Sequence, residues 1–336
     1  MNLFGKDLDK DIVIIAEIGV NHEGSLESAM NLISLAHQSG ADAVKFQSYT
    51  PEKFISSDDQ ERMERVKKFH LNESDHLKLI SHANNIGISF FSTAVTEDWI
   101  PFLNKNTKVL KIASGDITFE PIIRLAAKTG KTVILSTGGA NMQEVRKAID
   151  WFKDSSKLKN VTDRLILMHC ISAYPTPLEE ANLNSIKFLQ DETGLKIGYS
   201  NHVKGLYAPI LSIALGANLI EVHFTDSREN KTFHDHHLSL VPAELKELSM
   251  SVFNIKKSLG TYNKFCSRIE KNNLLALRKG VIAAYDIRKG KIIEKPDLMY
   301  ARPSNNIDSG KISTLIGKKL TCDIKSGQSI NFKMVK

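Results

Sequence analysis

Short apolar, β-branched runs recur along the chain. They are VIIAEIG (13–19), ADAVKFQ (41–47), GISFFST (87–93), VLKIASG (109–115), TVILSTG (132–138), RLILMHC (164–170), LKIGYS (195–200) and LIEVHFT (219–225). Each has the length of a strand and is bounded by turn residues, so each predicts a buried strand. Between them, apolar positions return at the spacing of an amphipathic helix. Leu26, Met30, Ile33 and Ala36 follow that spacing, with Ser25 as N-cap and Gly40 as stop. Pro121 opens a helix that Gly130 ends, and EEANLNSIKFLQDETG reads as a helix closed by Gly194. GLYAPILSIALGA carries Pro209 early, where a helix tolerates it. Strands alternating with helices over short connections predict a parallel sheet, and eight such units over roughly 10–258 predict a (β/α)8 TIM barrel.

The tail breaks this pattern. The helix PAELKELSMSVFNIKKSLG ends near Gly260, and a polar stretch follows. Residues 275–336 then form short β-type runs with turn signals at Lys289-Gly290 and Ser326-Gly327. The expected division is a catalytic barrel over 1–260, a linker over 261–274 and a small β-rich domain over 275–336. A domain of about 60 residues is marginal alone, so it is expected to lean on the barrel or a partner.

Composition narrows the function. Hydrophobic residues are 42% and charged residues 25% of the 336, an ordinary globular balance that excludes disorder as the main state. No apolar run is long enough to cross a membrane, and MNLFGKDLDKD lacks a signal peptide's apolar stretch. Three cysteines at wide spacing (Cys170, Cys266, Cys322) fit neither a disulfide framework nor a zinc knuckle, and a reducing cytoplasm is expected. Net charge is 45 − 38 = +7, but the lysines are scattered with few aromatics between them, so no nucleic-acid partner is expected.

The chemistry is expected where the strands end, because barrel enzymes build their sites at the C-terminal face. Those ends read Glu17; Lys45 and Gln47; Ser92 and Thr93; Lys111 and Ser114; Ser136 and Thr137; His169, Ser172 and Tyr174; Ser200 and His202; His223 and Asp226. All carry groups able to bind or react. Two lysines with several hydroxyls suit a phosphate. Either lysine alone could be a solvated rim residue. Lys111, however, sits between Leu110 and Ile112, where an unpaired charge is costly. His202 and His223, on adjacent strands, read either as hydrogen-bonded core histidines or as the two protein ligands of a divalent first-row metal with open positions. In His234-Asp235-His236-His237, Asp235 is the residue expected to matter. His169 reads as a satisfied strand histidine, Cys170 as a small core residue, and Tyr49, Trp99 and Trp151 as packing.

Together these stretches resemble the sialic acid (N-acetylneuraminate) synthase family, including legionaminic and pseudaminic acid synthases. The matching stretches are AEIGVNHEGS (16–25), AVKFQ (43–47), FFSTA (90–94), LKIASGD (110–116), ILSTGG (134–139), HCISAYPTP (169–177), GYSNH (198–202) and EVHFTD (221–226). AYDIRKGKII and YARPSNNI resemble the family's small antifreeze-like (SAF) domain. The resemblance implies a transferase that condenses phosphoenolpyruvate with an open-chain N-acyl amino-hexose such as N-acetylmannosamine. The product would be a nine-carbon 2-keto-3-deoxy acid plus phosphate.

It implies manganese or magnesium on His202 and His223, polarising the sugar aldehyde. Lys45, Lys111, Ser114, Ser136, Ser172 and Ser200, with Gln47 and Thr93 beside them, become substrate-binding positions. Glu17 becomes the carboxylate that handles sugar hydroxyls and proton traffic, and Tyr174 and Asp235 become sugar-side contacts. Arg302 would reach the N-acyl group across a domain-swapped homodimer. The chain departs from the family pattern at Asn201, where an Asp is usual, and at Phe233-His234, Ser172 and Arg302-Pro303-Ser304. A Schiff-base aldolase using Lys111 and a catalytically inactive sugar-binding protein are the alternatives from other classes.

Overall fold

The computed structural model describes every residue except Asn305, which lies within the YARPSNNI stretch. Two compact units form, Met1–Gly260 and Thr261–Lys336.

In the first unit, β1 (Asn2–Leu3) and β2 (Lys6–Asp7) make a hairpin. Its two-residue turn has positive φ at both Phe4 (50°) and Gly5 (82°), as a tight hairpin turn requires. Eight parallel strands follow: β3 (Val13–Gly19), β4 (Ala43–Ser48), β5 (Ser89–Ala94), β6 (Val109–Ile112), β7 (Thr132–Ser136), β8 (Leu165–His169), β9 (Lys196–Asn201) and β10 (Leu219–His223). They pair in sequence order, and β10 closes the barrel on β3.

The helices outside are α1 (Leu26–Gln38), α2 (Pro51–Phe54), α3 (Gln60–Phe69), α4 (Glu73–Ile86), α5 (Ile100–Asn106) and α6 (Glu120–Lys128). Then come α7 (Met142–Ser156), α8 (Asn184–Thr193), α9 (Tyr207–Ala214), α10 (Asp235–Leu238) and α11 (Pro242–Leu259). Ser25 caps α1 through the Ser28 amide, and Gly194 ends α8 at φ 66°. The 179–194 helix is shorter than its sequence suggests. Leu178–Glu180 form a 3₁₀ turn, and α8 begins only at Asn184.

Side-chain alternation divides the barrel wall. Ile14, Ala16, Val44, Leu110, Leu167, Ile220 and Val222 face outward into a layer shared with the helices. Val13, Ile15, Ala43, Phe91, Val109, Ile134, Ile166 and Leu219 face inward. Leu3 and Leu8, on and just after the hairpin, join this inner cluster, and Phe4 lies 5.1 Å from Phe91 between ring centres. The hairpin thus closes the N-terminal end of the barrel with apolar side chains.

In the second unit, the segment expected as a linker carries a helix, α12 (Arg268–Leu277), whose Ser267 and Glu270 form a capping box. β11 (Gly280–Ala283) and β12 (Leu298–Ala301) pair antiparallel over a core that includes Val281, Ile293, Leu315, Leu320 and Ile330. Gly290 and Gly327, in the two turn signals, adopt positive φ.

Candidate active site

The inward positions change character along the strands. Beyond the apolar layer, β3, β4, β6 and β10 turn Glu17, Lys45, Lys111 and Glu221 into the barrel, each nearly inaccessible to solvent. Lys45 Nζ lies 3.0 Å from Glu17 Oε2 and 3.2 Å from Glu221 Oε1, and donates to Thr93 Oγ1 at 3.1 Å. Lys111 Nζ lies 3.5 Å from Glu221, which also accepts from Ser200 Oγ at 3.1 Å. Four buried ionisable groups are tolerated here because each faces one of opposite sign.

Their protonation is uneven. Burial raises Glu17 to about 7, against the pull of Lys45. Burial also acts on Glu221, but Lys111 and Lys45 outweigh it and hold that carboxylate ionised, at about 2. Burial lowers Lys111, whereas Lys45, between two carboxylates, is raised despite its burial. Two lysines therefore face one fully ionised carboxylate and one poised near neutrality. This basic floor suits an anion, and Glu17 suits proton transfer at neutral pH.

The cleft above this cluster measures about 670 Å³. Of the substrate, catalytic and metal positions that the resemblance implied, all but Ser172 and Arg302 line it; of the other strand-end residues, Ser92, Thr137, His169 and Asp226 do not. Ser136 Oγ is buried in it with no hydrogen-bond partner among the described residues. The Gly138 amide donates to Ser114 Oγ at 3.1 Å. A Cβ at Gly138 would sit 2.5 Å from Ser172 Oγ and 2.9 Å from both Cys170 Sγ and Ser114 Oγ, so this approach needs glycine. Ser172 itself is exposed, beside this turn rather than on the cleft wall. Cys170 is buried as expected, yet its thiol also lines the cleft. Arg302 belongs to the second unit, where its Nε donates to the Leu277 carbonyl.

The two histidines stand at the rim with ring centres 5.4 Å apart, and the Tyr174 ring lies 4.1 Å from that of His202. Burial lowers both histidines, His202 to about 4. Both are neutral at pH 7. His202 Nδ1 donates to the Ile171 carbonyl at 2.6 Å, which leaves Nε2 as a lone-pair donor. Asn201 plays no part in this orientation, since its side chain bonds Val203 and Tyr199. His223 Nδ1 is buried with no hydrogen-bond partner among the described residues, and Asp235 Oδ2 lies 3.9 Å from it. Two neutral imidazoles on one cleft fit a divalent first-row cation completed by water and substrate oxygens. Among the described residues, no three or more His, Cys, Asp or Glu side chains gather as a protein-only metal centre.

The neighbouring histidines are structural. His169 Nε2 bonds the Ala181 carbonyl at 2.9 Å and stacks on Tyr199. His236 is fully buried between Thr225 and Glu23. Sequence reading passed over Glu221, Asp116 and Arg62, all on the cleft. Glu221 was detectable, because it precedes His223 by two residues and so shares its inward face. Asp116, raised to about 6 by burial, and Arg62 on α3 had no such signal.

Comparison with known proteins agrees with this architecture. Residues 32–264 match the NeuB family and residues 278–336 match the SAF domain. The chain is 38% identical to N,N'-diacetyllegionaminic acid synthase of Campylobacter jejuni, covering 96% of this chain and 99% of that one. It is 34% identical to a pseudaminic acid synthase of the same species, covering 98% of both. Among solved structures, the N-acetylneuraminic acid (sialic acid) synthetase of Leptospira borgpetersenii, in complex with citrate, superposes with a TM-score of 0.74 at 34% identity. It covers 78% of this chain and 90% of that one. The chain belongs to the NeuB family and carries a C-terminal SAF domain, as the resemblance in its sequence implied. Among the described residues, no helix is long and apolar enough to cross a membrane.

Proposed function

We propose that this NeuB-family chain is a sialic acid-type synthase that joins phosphoenolpyruvate to an open-chain N-acyl amino-hexose. The relatives' names support the reaction class. The observation that carries the reading is the buried Lys45–Glu221–Lys111 cluster lying beneath two neutral histidines in one cleft. That set binds a small phosphorylated anion at depth and presents an aldehyde at the rim.

In this reading Lys45, Lys111, Ser114, Ser136 and Ser200 hold the phosphate and carboxylate of phosphoenolpyruvate. His202 and His223 would hold manganese or magnesium, which would supply Lewis-acid polarisation of the aldehyde. Carbon 3 of phosphoenolpyruvate forms the new bond to the aldehyde carbon. Protonated Glu17 donates to the aldehyde oxygen as it becomes a hydroxyl. The carboxylate so formed takes a proton from the water that adds at carbon 2. Collapse to the ketone breaks the carbon–oxygen bond and expels phosphate, which leaves with the hydroxyl proton. Glu221 keeps both lysines aligned and offsets the positive charge that develops at carbon 2. Asp235 and Tyr174 face the sugar. The reading extends to a swapped homodimer that supplies Arg302 to the N-acyl group.

The test is aldose-dependent release of phosphate from phosphoenolpyruvate, abolished by EDTA and restored by manganese. No release with any N-acyl hexosamine overturns the reading. Lys111, buried and lowered, also has the environment of an imine-forming lysine. A borohydride-stable pyruvate adduct on Lys111, formed without metal, would favour an aldolase instead.

A further inference from the structure

The turn that carries Asp235 has local ties, with Arg228 Nε donating to the Ser239 carbonyl at 3.0 Å and His234 Nε2 3.0 Å from Asp235 Oδ1, but it is also tied to a distant part of the chain. α10 has four residues, and its N-cap, His234, makes no side-chain capping bond. A helix this short has no stability of its own. Yet Asp235 is buried on the cleft, its carboxylate beside His223.

Its long-range anchors come from the loop after β3, more than two hundred residues earlier. Asn21, itself buried, donates through Nδ2 to the Phe224 carbonyl at 2.8 Å and to Ser239 Oγ at 2.9 Å. Ser239 Oγ in turn donates to the Asp235 carbonyl at 2.6 Å. Glu23 Oε1 lies 2.9 Å from His236 Nε2, and His236 Nδ1 lies 2.7 Å from Thr225 Oγ1. The carboxylate of Glu23 can only accept, so His236 donates to it through Nε2–H, with Nδ1 facing the Thr225 hydroxyl.

The loop is itself wedged. Glu23 holds φ at 49°, an unfavourable value for a residue with a side chain. Gly24, at φ 85°, presses on the end of α3, and a Cβ there would sit 2.2 Å from the Lys68 carbonyl oxygen. The loop's shape is thus set on one side by α3 and read out on the other by the Asp235 turn.

We infer that Asn21 and Glu23 are positioning residues which, through Ser239 and His236, set the Asp235 carboxylate beside His223 and thereby govern how the cleft receives the aldose. The inference rests on the synthase reading for its substrate. Neither residue lines the cleft. Because β3 also carries Glu17, one strand–loop segment places two of the acidic groups of the site.

Steady-state kinetics of the full chain test this, with phosphoenolpyruvate, manganese and N-acetylmannosamine. Glu23→Ala and Asn21→Ala should each raise KM for the aldose about tenfold or more while KM for phosphoenolpyruvate stays within about twofold. Glu23→Gln should restore the aldose KM, because its amide oxygen still accepts from His236. An equal change in both KM values, or a Glu23→Gln variant no better than Glu23→Ala, overturns the inference. Hydrogen exchange without substrate provides a second reading. The Ser239 and Leu240 amides should exchange faster in Glu23→Ala, with β-strand amides unchanged, and unaltered protection there overturns the inference. Should the wild-type protein turn over no aldose, the synthase reading falls, while the exchange result still decides the clamp.

Discussion

The two ends of the barrel interior are built on the same strands and obey opposite rules. At the N-terminal end, Val13, Ala43, Val109 and Leu219 meet Leu3 and Leu8 in an apolar cluster. Two to four residues further along the same strands, the inward positions are Glu17, Lys45, Lys111 and Glu221. The first end gains its stability from apolar burial. The second spends it on desolvated charges that stay ionised only in each other's company. Stability and function are therefore separable along a single strand, and substitutions at the two ends should fail differently.

The largest effect is expected at the charged end. Glu221→Gln keeps the shape of the side chain but leaves Lys45 and Lys111 without their shared counter-charge. Phosphate release should fall by about 10³-fold, the scale of losing a preorganised charge. A purified variant that keeps more than a tenth of wild-type activity would show that the cluster is structural.

A smaller effect of another kind is expected at the sealed end. Leu8 is fully buried. Leu8→Ala should lower stability by about 2–5 kcal/mol, read from urea unfolding. Activity of the folded fraction should stay within about twofold of wild type, because the charged layer lies beyond the apolar one. A parallel loss of turnover would mean that the plug also sets the site.

The wall between strands and helices should show the smallest effect, and it depends on pH. Burial holds His22 and His76 at about 4, well below an ordinary histidine. The unfolded chain binds protons on these residues before the folded chain does. Their contribution to stability is therefore full above about pH 6.5 and is lost as pH falls from there toward about 4. Near pH 5 the loss should be about 2 kcal/mol for each. His76→Gln should flatten the fall in melting temperature between pH 7 and pH 5. An unchanged pH slope would place the protonation elsewhere.

Much of the fold was legible because its signals are local. β-branched runs announced the eight barrel strands, and Ser25 and Gly194 announced helix ends, each through chemistry within a few residues. The N-terminal hairpin went unseen because strands of two residues carry no periodicity. α12 went unseen because the polar run before residue 275 was read as a linker, although the Ser267–Glu270 capping box was there to read. In the site, Glu17, Lys45, Lys111, His202 and His223 were legible as polar residues ending apolar strands. Glu221 was passed over because it lies inside such a run, where only its parity with His223 marks it. Asn21 and Glu23 gave no chemical hint, since their partners stand more than two hundred residues away.

By itself, the sequence determined which segments become strands, which ends are polar and which family the chain joins, because periodicity and motif are properties of neighbouring residues. Only the tertiary structure decided that Lys45 and Lys111 share Glu221, that Glu17 is poised near neutrality, and that Asp235 is held from the far side of the chain. Those outcomes depend on barrel register and on exclusion of water. Both arise when distant strands close on one another, and neither is a property of any segment alone.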